Sequence, residues 1–518
     1  MSRILNRLFL AVGIFSLLSC GCAKTAGKQE VLQSIYIAKT QLSLNIGESY
    51  KLDARPVPSM AVPPVWQWSS GDGKVATVSS EGLVTAVGAG TTEVVASYGK
   101  HKASVSVSVA APDDIPAEGK VFNVTLEGAD CSFADFAEYG VFVPGGESPI
   151  SGVLVLQHGC GMEQFGITRP YDLQYQAFAR KWNLAVVETA LHGNCGIWHH
   201  PESGSAAALM KVLVNVGNRS GHEELGEAPW LLFGHSSGGH WVLAMLRDYP
   251  ERIIAAVCYS AAWDPQWEYD TVAAKVPLLL RHAGPEDAPF ANCQGTASHT
   301  FRKLRAMDAP VSLVYNVGQN HNLSYIRHMA IPFYEAALRQ RLPSEAGGEL
   351  RDLDPSLCCL ADTTSFEIIR ESDYAEDNSS VSGGKQAMCR FPDMECALKW
   401  KEYATTNDVA DITAPDAPYA LATENLAGGS VRLSWKAEAD IESGISCFRV
   451  YANGILKARI PETGMYQTFD PNGDNTIPAH PQAMEAVLSG LSSSGAVLEV
   501  ETVNGAGLAS ERTSLRMQ

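Results

Sequence analysis

Gly234-His235-Ser236-Ser237-Gly238-Gly239 follows an apolar run, Trp230-Leu231-Leu232-Phe233, and precedes an apolar-periodic stretch, Trp241-Val242-Leu243-Ala244-Met245-Leu246. The pattern reads as strand, tight turn, helix. So sharp a turn needs glycine beside the serine, because a side chain at Gly234 or Gly238 would clash across it. Ser236 is then left exposed at the strand's end, with the N-terminus of the next helix beneath it. A G-x-S-x-G is a weak signal by spacing alone. Between a strand and a helix it marks an activated serine.

Working outward, residues 120 to 343 alternate between continuous apolar runs and helical patterns. The strand candidates are Val153–Leu156, Leu184–Val187, Leu231–Phe233, Ile253–Val257, Val276–Leu280 and Val311–Tyr315, with helices such as Asp172 to Trp182 and Ser205 to Val216 between them. Continuous apolar strands separated by helices imply a parallel sheet covered on both faces. Ligands then sit outside the carboxyl ends of the strands, where the turn puts Ser236.

A serine hydroxyl is almost fully protonated at neutral pH and needs a base, itself oriented by a third group. The glycine-framed serine in this strand–helix setting resembles the nucleophile elbow of the α/β-hydrolases, whose chain order is Ser, acid, His. That resemblance implies His321, in Val317-Gly318-Gln319-Asn320-His321-Asn322 after the last strand, as the base. His328 competes but lies in the periodic run of the final helix, Ser324 to Leu342. The acid should follow Pro277–Leu280, in Arg281-His282-Ala283-Gly284-Pro285-Glu286-Asp287. The usual spacing from the loop glycine points to Asp287, with Glu286 adjacent to it and Asp264 in the loop after the earlier strand. The oxyanion donors implied are the amide of Ser237 and, in the HG-x-G-like loop Gln157-His158-Gly159-Cys160-Gly161, those of Cys160 and Gly161. His158 reads as structural. The loop Leu191 to His200 should border the same mouth, with Trp198 and His192 as pocket residues. A Cys160–Cys195 disulfide is compatible with it.

The flanks are of a different kind. Residues 34–110 alternate apolar and polar in the β manner. Ile46-Gly47-Glu48, Trp68-Ser69-Ser70, Val75-Ala76-Thr77-Val78 and Gly82 to Gly90 resemble the bacterial Ig-like group 2 domain. Residues 412–518 return to β, and Val431-Arg432-Leu433-Ser434-Trp435, Phe448-Arg449-Val450-Tyr451 and Asn504 to Ser510 are similar to a fibronectin type III module. There Trp435 and Tyr451 are expected as packing. Residues 344–411 read as an irregular extension or linker ending in a helix, Asp393 to Tyr403, with Trp400 and Tyr403 wanting burial. The expected architecture is therefore multidomain: a central α/β-hydrolase over 118–343, with a mostly parallel sheet and helices on both faces, between two all-β Ig-like sandwiches.

Arg3 and Arg7 precede a short apolar segment, Leu8 to Leu18, too short to span a bilayer stably. Leu17-Leu18-Ser19-Cys20 resembles the bacterial lipobox. It implies a signal peptide over 1–19, lipidation of Cys20, a tether over 20–33, and an exported chain anchored at the periplasmic or cell-surface face of a membrane. A net charge of −18 argues against nucleic acid as a partner. With Cys20 lipidated, an odd number of the 12 cysteines remains, and their pairing is not fixed by sequence. No C-x-x-C pair exists, so no metal and no cofactor is expected. The adjacent pair His199-His200 cannot easily point both rings at one ion, and both are expected at the surface.

The resemblance covers exported esterases and polyester depolymerases. It implies a lipid-anchored serine ester hydrolase acting on acyl groups of a polysaccharide or small-molecule ester. The alternatives are a surface-adhesion protein using the fold as scaffold, and a serine peptidase of the same fold.

Overall fold

A computed structural model describes residues 31–59, 64–261, 266–287, 292–321, 325–343, 345, 347–375, 383–467, 483–491 and 495–517, without the side chains of Phe165 and Glu286. The expected signal segment, Cys20 and Asp264 lie outside them. The chain divides into two compact units near residue 110.

In the first unit, strands Gln41–Asn45, His101–Ala110, Gly90–Tyr98 and Gln67–Ser70 form one sheet. Ser49–Lys51, Leu83–Ala86 and Ala76–Val78 form another. The alternation predicted from sequence is the alternation of burial: Val105 and Val107 are buried while Ser104 and Ser106 are exposed. Leu32 is already buried and the amide of Gln33 bonds Val57, so the sandwich starts before Ser34.

The second unit is built on an eight-stranded sheet. Its strands are β1 (Lys120–Glu127), β2 (Phe136–Val143), β3 (Gly152–Gln157), β4 (Leu184–His192), β5 (Trp230–His235), β6 (Ile253–Tyr259), β7 (Leu278–His282) and β8 (Val311–Tyr315). Their order is β1-β2-β4-β3-β5-β6-β7-β8. From β4 to β8 all neighbours are parallel, and β2 is antiparallel to both of its own. Strands β3, β5, β6 and β7 are buried at every residue, as helices on both faces require. The mixed sheet is the one the α/β-hydrolase resemblance implies. The two leading strands were not among the apolar runs, because their inner residues alternate with polar ones such as Asn123, Thr125 and Glu138.

Among the described residues, seven α-helices belong to this unit. They are α1 (Leu173–Trp182), α2 (Cys195–Trp198), α3 (Ser205–Ser220), α4 (Ser237–Asp248), α5 (Cys293–Arg305), α6 (Ile326–Arg341) and α7 (Met394–Thr406). Asp172 caps α1 by accepting from the amides of Gln174 and Tyr175, at 2.9 and 3.2 Å.

Residues 344–411 are not a linker. Cys359–Ala361, Ile368–Arg370 and Cys389–Phe391 make a small antiparallel sheet beside β8. Trp400 of α7 donates its Nε1–H to the Leu313 carbonyl at 3.0 Å, and Trp400 and Tyr403 join the central core. The sequence hid this because its strands are three residues long, too short to show a period.

The described residues between 412 and 517 form a sandwich of three strands on four, with Trp435 edge-on against Phe448 in its core. Tyr451 lies outside that cluster. The strand's period of two turns it to the other face, where it donates to Glu501 at 2.9 Å beneath Arg512.

Candidate active site

Ser236 sits between β5 and α4 with φ 56° and ψ −116°, a conformation costly for a side-chain-bearing residue. A Cβ at Gly234 would collide with the Gly238 carbonyl, and one at Gly238 would lie 2.5 Å from the carbonyl oxygens of Gln157 and His158. Both glycines are thus required by backbone-to-backbone approach. The serine is only 8% exposed, not open as the turn alone implied. Loops from the neighbouring strand ends close over it.

One of these is the 157–161 loop. Its Gly159 approaches so closely that a Cβ there would meet Ser236 Cβ at 3.2 Å. The expected amide donors Cys160 and Gly161 follow directly, and Ser237 opens α4 on the other side. His158 is wholly buried. Its Nδ1–H donates to the Gly159 carbonyl at 2.6 Å and its Nε2 accepts from the Leu191 amide at 2.9 Å. Burial, with Arg169 and His192 nearby, pushes its pKa down to about 4, so the ring stays neutral and structural. A Cys160–Cys195 disulfide ties this loop to the one after β4.

Asp287 and His321 come together on the far side. His321 Nδ1 lies 3.2 Å from Asp287 Oδ1. A carboxylate only accepts, so Nδ1 carries the proton and Nε2 keeps its lone pair. Burial raises the pKa of Asp287, but His321, the Ala283 amide at 2.6 Å, the Arg281 guanidinium and Ser260 outweigh it and hold the carboxyl below its usual value. Cys293 lies 3.9 Å from His321 Nδ1, but burial lifts its thiol to about 12, too high for a nucleophile. His328 is remote: on α6, it bonds Asp408 at 2.6 Å.

Two residues missed in the sequence organise this set. His235 donates Nε2–H to the carbonyl of His321 at 2.6 Å, so the residue preceding the serine anchors the His321 loop. Burial first, then His321, lowers its pKa to about 3. Arg281, fully buried, lies 3.6 Å from Asp287 and donates to Ser260 Oγ at 2.8 Å, Asn316 Oδ1 at 2.7 Å and the Asn320 carbonyl at 3.0 Å. A charged residue ending an apolar strand just before the acid loop was the available signal.

The proposed pocket residues fare differently. Trp198 is completely buried, 5.0 Å from the His158 ring, and supports that loop from beneath rather than forming a wall. His192 stacks on Phe136 at 4.0 Å and bonds Glu138 at 2.9 Å, in register with that strand rather than turned to the mouth. His199 is not a surface residue either: α2 turns it inward, to 5% exposure. A cleft of about 960 Å³ lined by Asn183, Glu224, Arg252 and Arg341 opens at the amino ends of the strands, opposite Ser236.

Residues 31–109 match the bacterial Ig-like domain (group 2). No curated protein matches the chain. Solved structures that resemble parts of it include these three. Poly(aspartic acid) hydrolase-1 from Sphingomonas sp. KT-1 is 14% identical over 39% of this chain and 93% of its own, with a TM-score of 0.29. A thermostable esterase is 14% identical over 47% and 69%, with a TM-score of 0.32. An S-formylglutathione hydrolase from Agrobacterium tumefaciens is 14% identical over 44% and 97%, with a TM-score of 0.32.

Proposed function

We propose that the second unit is a serine ester hydrolase working through an acyl-serine intermediate. The observation that carries this reading is the Asp287–His321 contact at 3.2 Å, in a loop anchored to the residue next to Ser236. His321 Nε2 takes the Ser236 proton as Oγ attacks the ester carbonyl, and Asp287 steadies the imidazolium that forms. The amides of Ser237 and of Cys160 or Gly161 receive the oxyanion. His321 returns the proton to the departing alcohol, then activates water to release the acid and regenerate Ser236.

The lipobox-like Leu17 to Cys20 supports export and anchoring through lipidated Cys20. The three-on-four sandwich at the carboxyl end supports a fibronectin type III module there. The substrate class is an acyl ester of a carbohydrate or a small alcohol. Purified chain should cleave a chromogenic short-chain ester, and Ser236→Ala should lower kcat by at least ~1000-fold. An unchanged rate in the variant overturns the assignment. Detergent-phase partitioning lost in Cys20→Ala tests the anchor.

A further inference from the structure

We propose that His199, His200 and His240 form a binding site for a divalent cation of the zinc class, beside the serine turn and separate from Asp287 and His321. The three come from two elements. His199 and His200 follow α2, in the loop whose start is pinned by Cys195. His240 lies on α4, and its amide donates to the Ser236 carbonyl at 3.2 Å. Sequence alone offered only the adjacent pair. The third ring, 40 positions on, is brought in by the fold.

The ring centroids are 4.2 Å apart for His199 and His200, 4.4 Å for His199 and His240, and 5.4 Å for His200 and His240. One ring nitrogen of each lies within 4.8 Å of the others. Two nitrogens bound tetrahedrally to one zinc, each ~2.1 Å away, are ~3.4 Å apart. Binding one ion therefore requires the rings to turn so that their nitrogens converge. The planes of His199 and His200 are inclined at 77°, which lets neighbouring residues aim different edges at one point. All-imidazole donor sets suit zinc, cobalt, nickel and copper and disfavour calcium and magnesium.

The surroundings fit a ligand set. His199 and His240 are each 5% exposed, and the His240 ring is 5.1 Å from that of Trp267. The His200 side chain is 41% exposed, which leaves an entry path and a fourth position for solvent. Its Nδ1 lies 3.7 Å from Glu202, and Arg247 donates to that carboxylate at 3.3 Å. A carboxylate behind a ligating imidazole orients the ring and increases its basicity. An ion here would clip the loop after β4 onto the helix that begins at the serine turn.

Binding is measurable without any assay of hydrolysis. The full chain without a histidine tag, stripped with chelator, is titrated with zinc chloride and then, separately, with cobalt chloride. One zinc per chain, a higher Tm and the visible bands of tetrahedral cobalt are expected. Either His200→Asn or His240→Gln should weaken binding at least ten-fold, and Ser236→Ala should leave it unchanged. Because His200 is half exposed, its variant keeps the fold, which circular dichroism checks. Wild type binding no more tightly than His200→Asn, or cobalt remaining octahedral, overturns the site and leaves a packed histidine cluster. Neither result bears on the ester hydrolase reading.

Discussion

At Asp287 burial works against the charge that an orienting carboxylate needs. Four polar partners offset it, and Arg281 is the only formal cation among them. The same guanidinium bonds the carbonyl of Asn320, one residue before His321. It therefore holds the Asp287 carboxylate and the His321 loop together. Arg281→Met keeps the bulk and removes both roles. It should cost on the order of 3 kcal/mol in denaturant unfolding, because Asp287 loses its buried counter-charge. In steady-state kinetics kcat should fall much more than KM changes. An equal change in both would instead mean that Arg281 contacts substrate. Its position was readable in the sequence, but its partners were not: Ser260 and Asn316 come from other strands, and no local period records a contact across a sheet.

At the scale of elements, the loops after β3 and β4 are held by one covalent link. Cys160 and Cys195 are 35 residues apart, so closing that loop stabilises the folded chain by ~4 kcal/mol in the chain-entropy account. Replacing both by serine, or reducing the chain, should lower stability by about that amount. It should also reduce kcat, since Cys160 lies in the loop that faces Ser236. Unchanged unfolding under reductant would show that the loops are held by packing alone. The elements themselves were legible in unequal measure. The strand, turn and helix around Ser236 were read in full, because glycine placement and continuous apolar runs are local signals. The six strands of the parallel part were also found. The antiparallel β1 and β2 were missed for their mixed faces, and the small sheet beside β8 for its brevity. The α/β-hydrolase resemblance implied Asp287 and His321, and the fold brings them within 3.2 Å. Trp198 was expected as a pocket wall, but a tryptophan there serves as wall or as floor, and only the packing on His158 decides.

Across the whole molecule, burial holds several imidazoles neutral. It pushes His158 and His282 down to about 4, and His199 and His235 to about 3. In the unfolded chain each titrates near 6.5. Folding then excludes protons below that value, so stability is complete above pH ~6.5 and is lost as the pH falls toward 4. Glu442, raised to about 7 by burial and by Asp440, and Glu188, raised by burial, act in the opposite sense but are two groups against four. Melting curves should show Tm falling steadily from pH 7 to 4.5, and a flat profile would contradict the buried neutral rings. The carboxyl-terminal sandwich is part of the same cooperative body. Gln467 accepts from the Leu173 amide at 2.8 Å and donates to the Tyr171 carbonyl at 3.1 Å. Gln174 donates to the Ile441 carbonyl at 2.8 Å, Arg180 pairs with Glu438, and Ala177 packs into the sandwich core. All but Tyr171 lie on α1 or immediately at its start, and α1 also packs against β4 and, through the Phe178 ring, on Tyr334 of α6. A chain ending at residue 411 would leave that helix face bare and its polar groups unpaired. It should lose several kcal/mol, a Tm drop of more than ~10 °C, and become prone to aggregation. A soluble truncated chain with the full-length Tm and ester turnover would show that the sandwich is an appended module and not a support for α1.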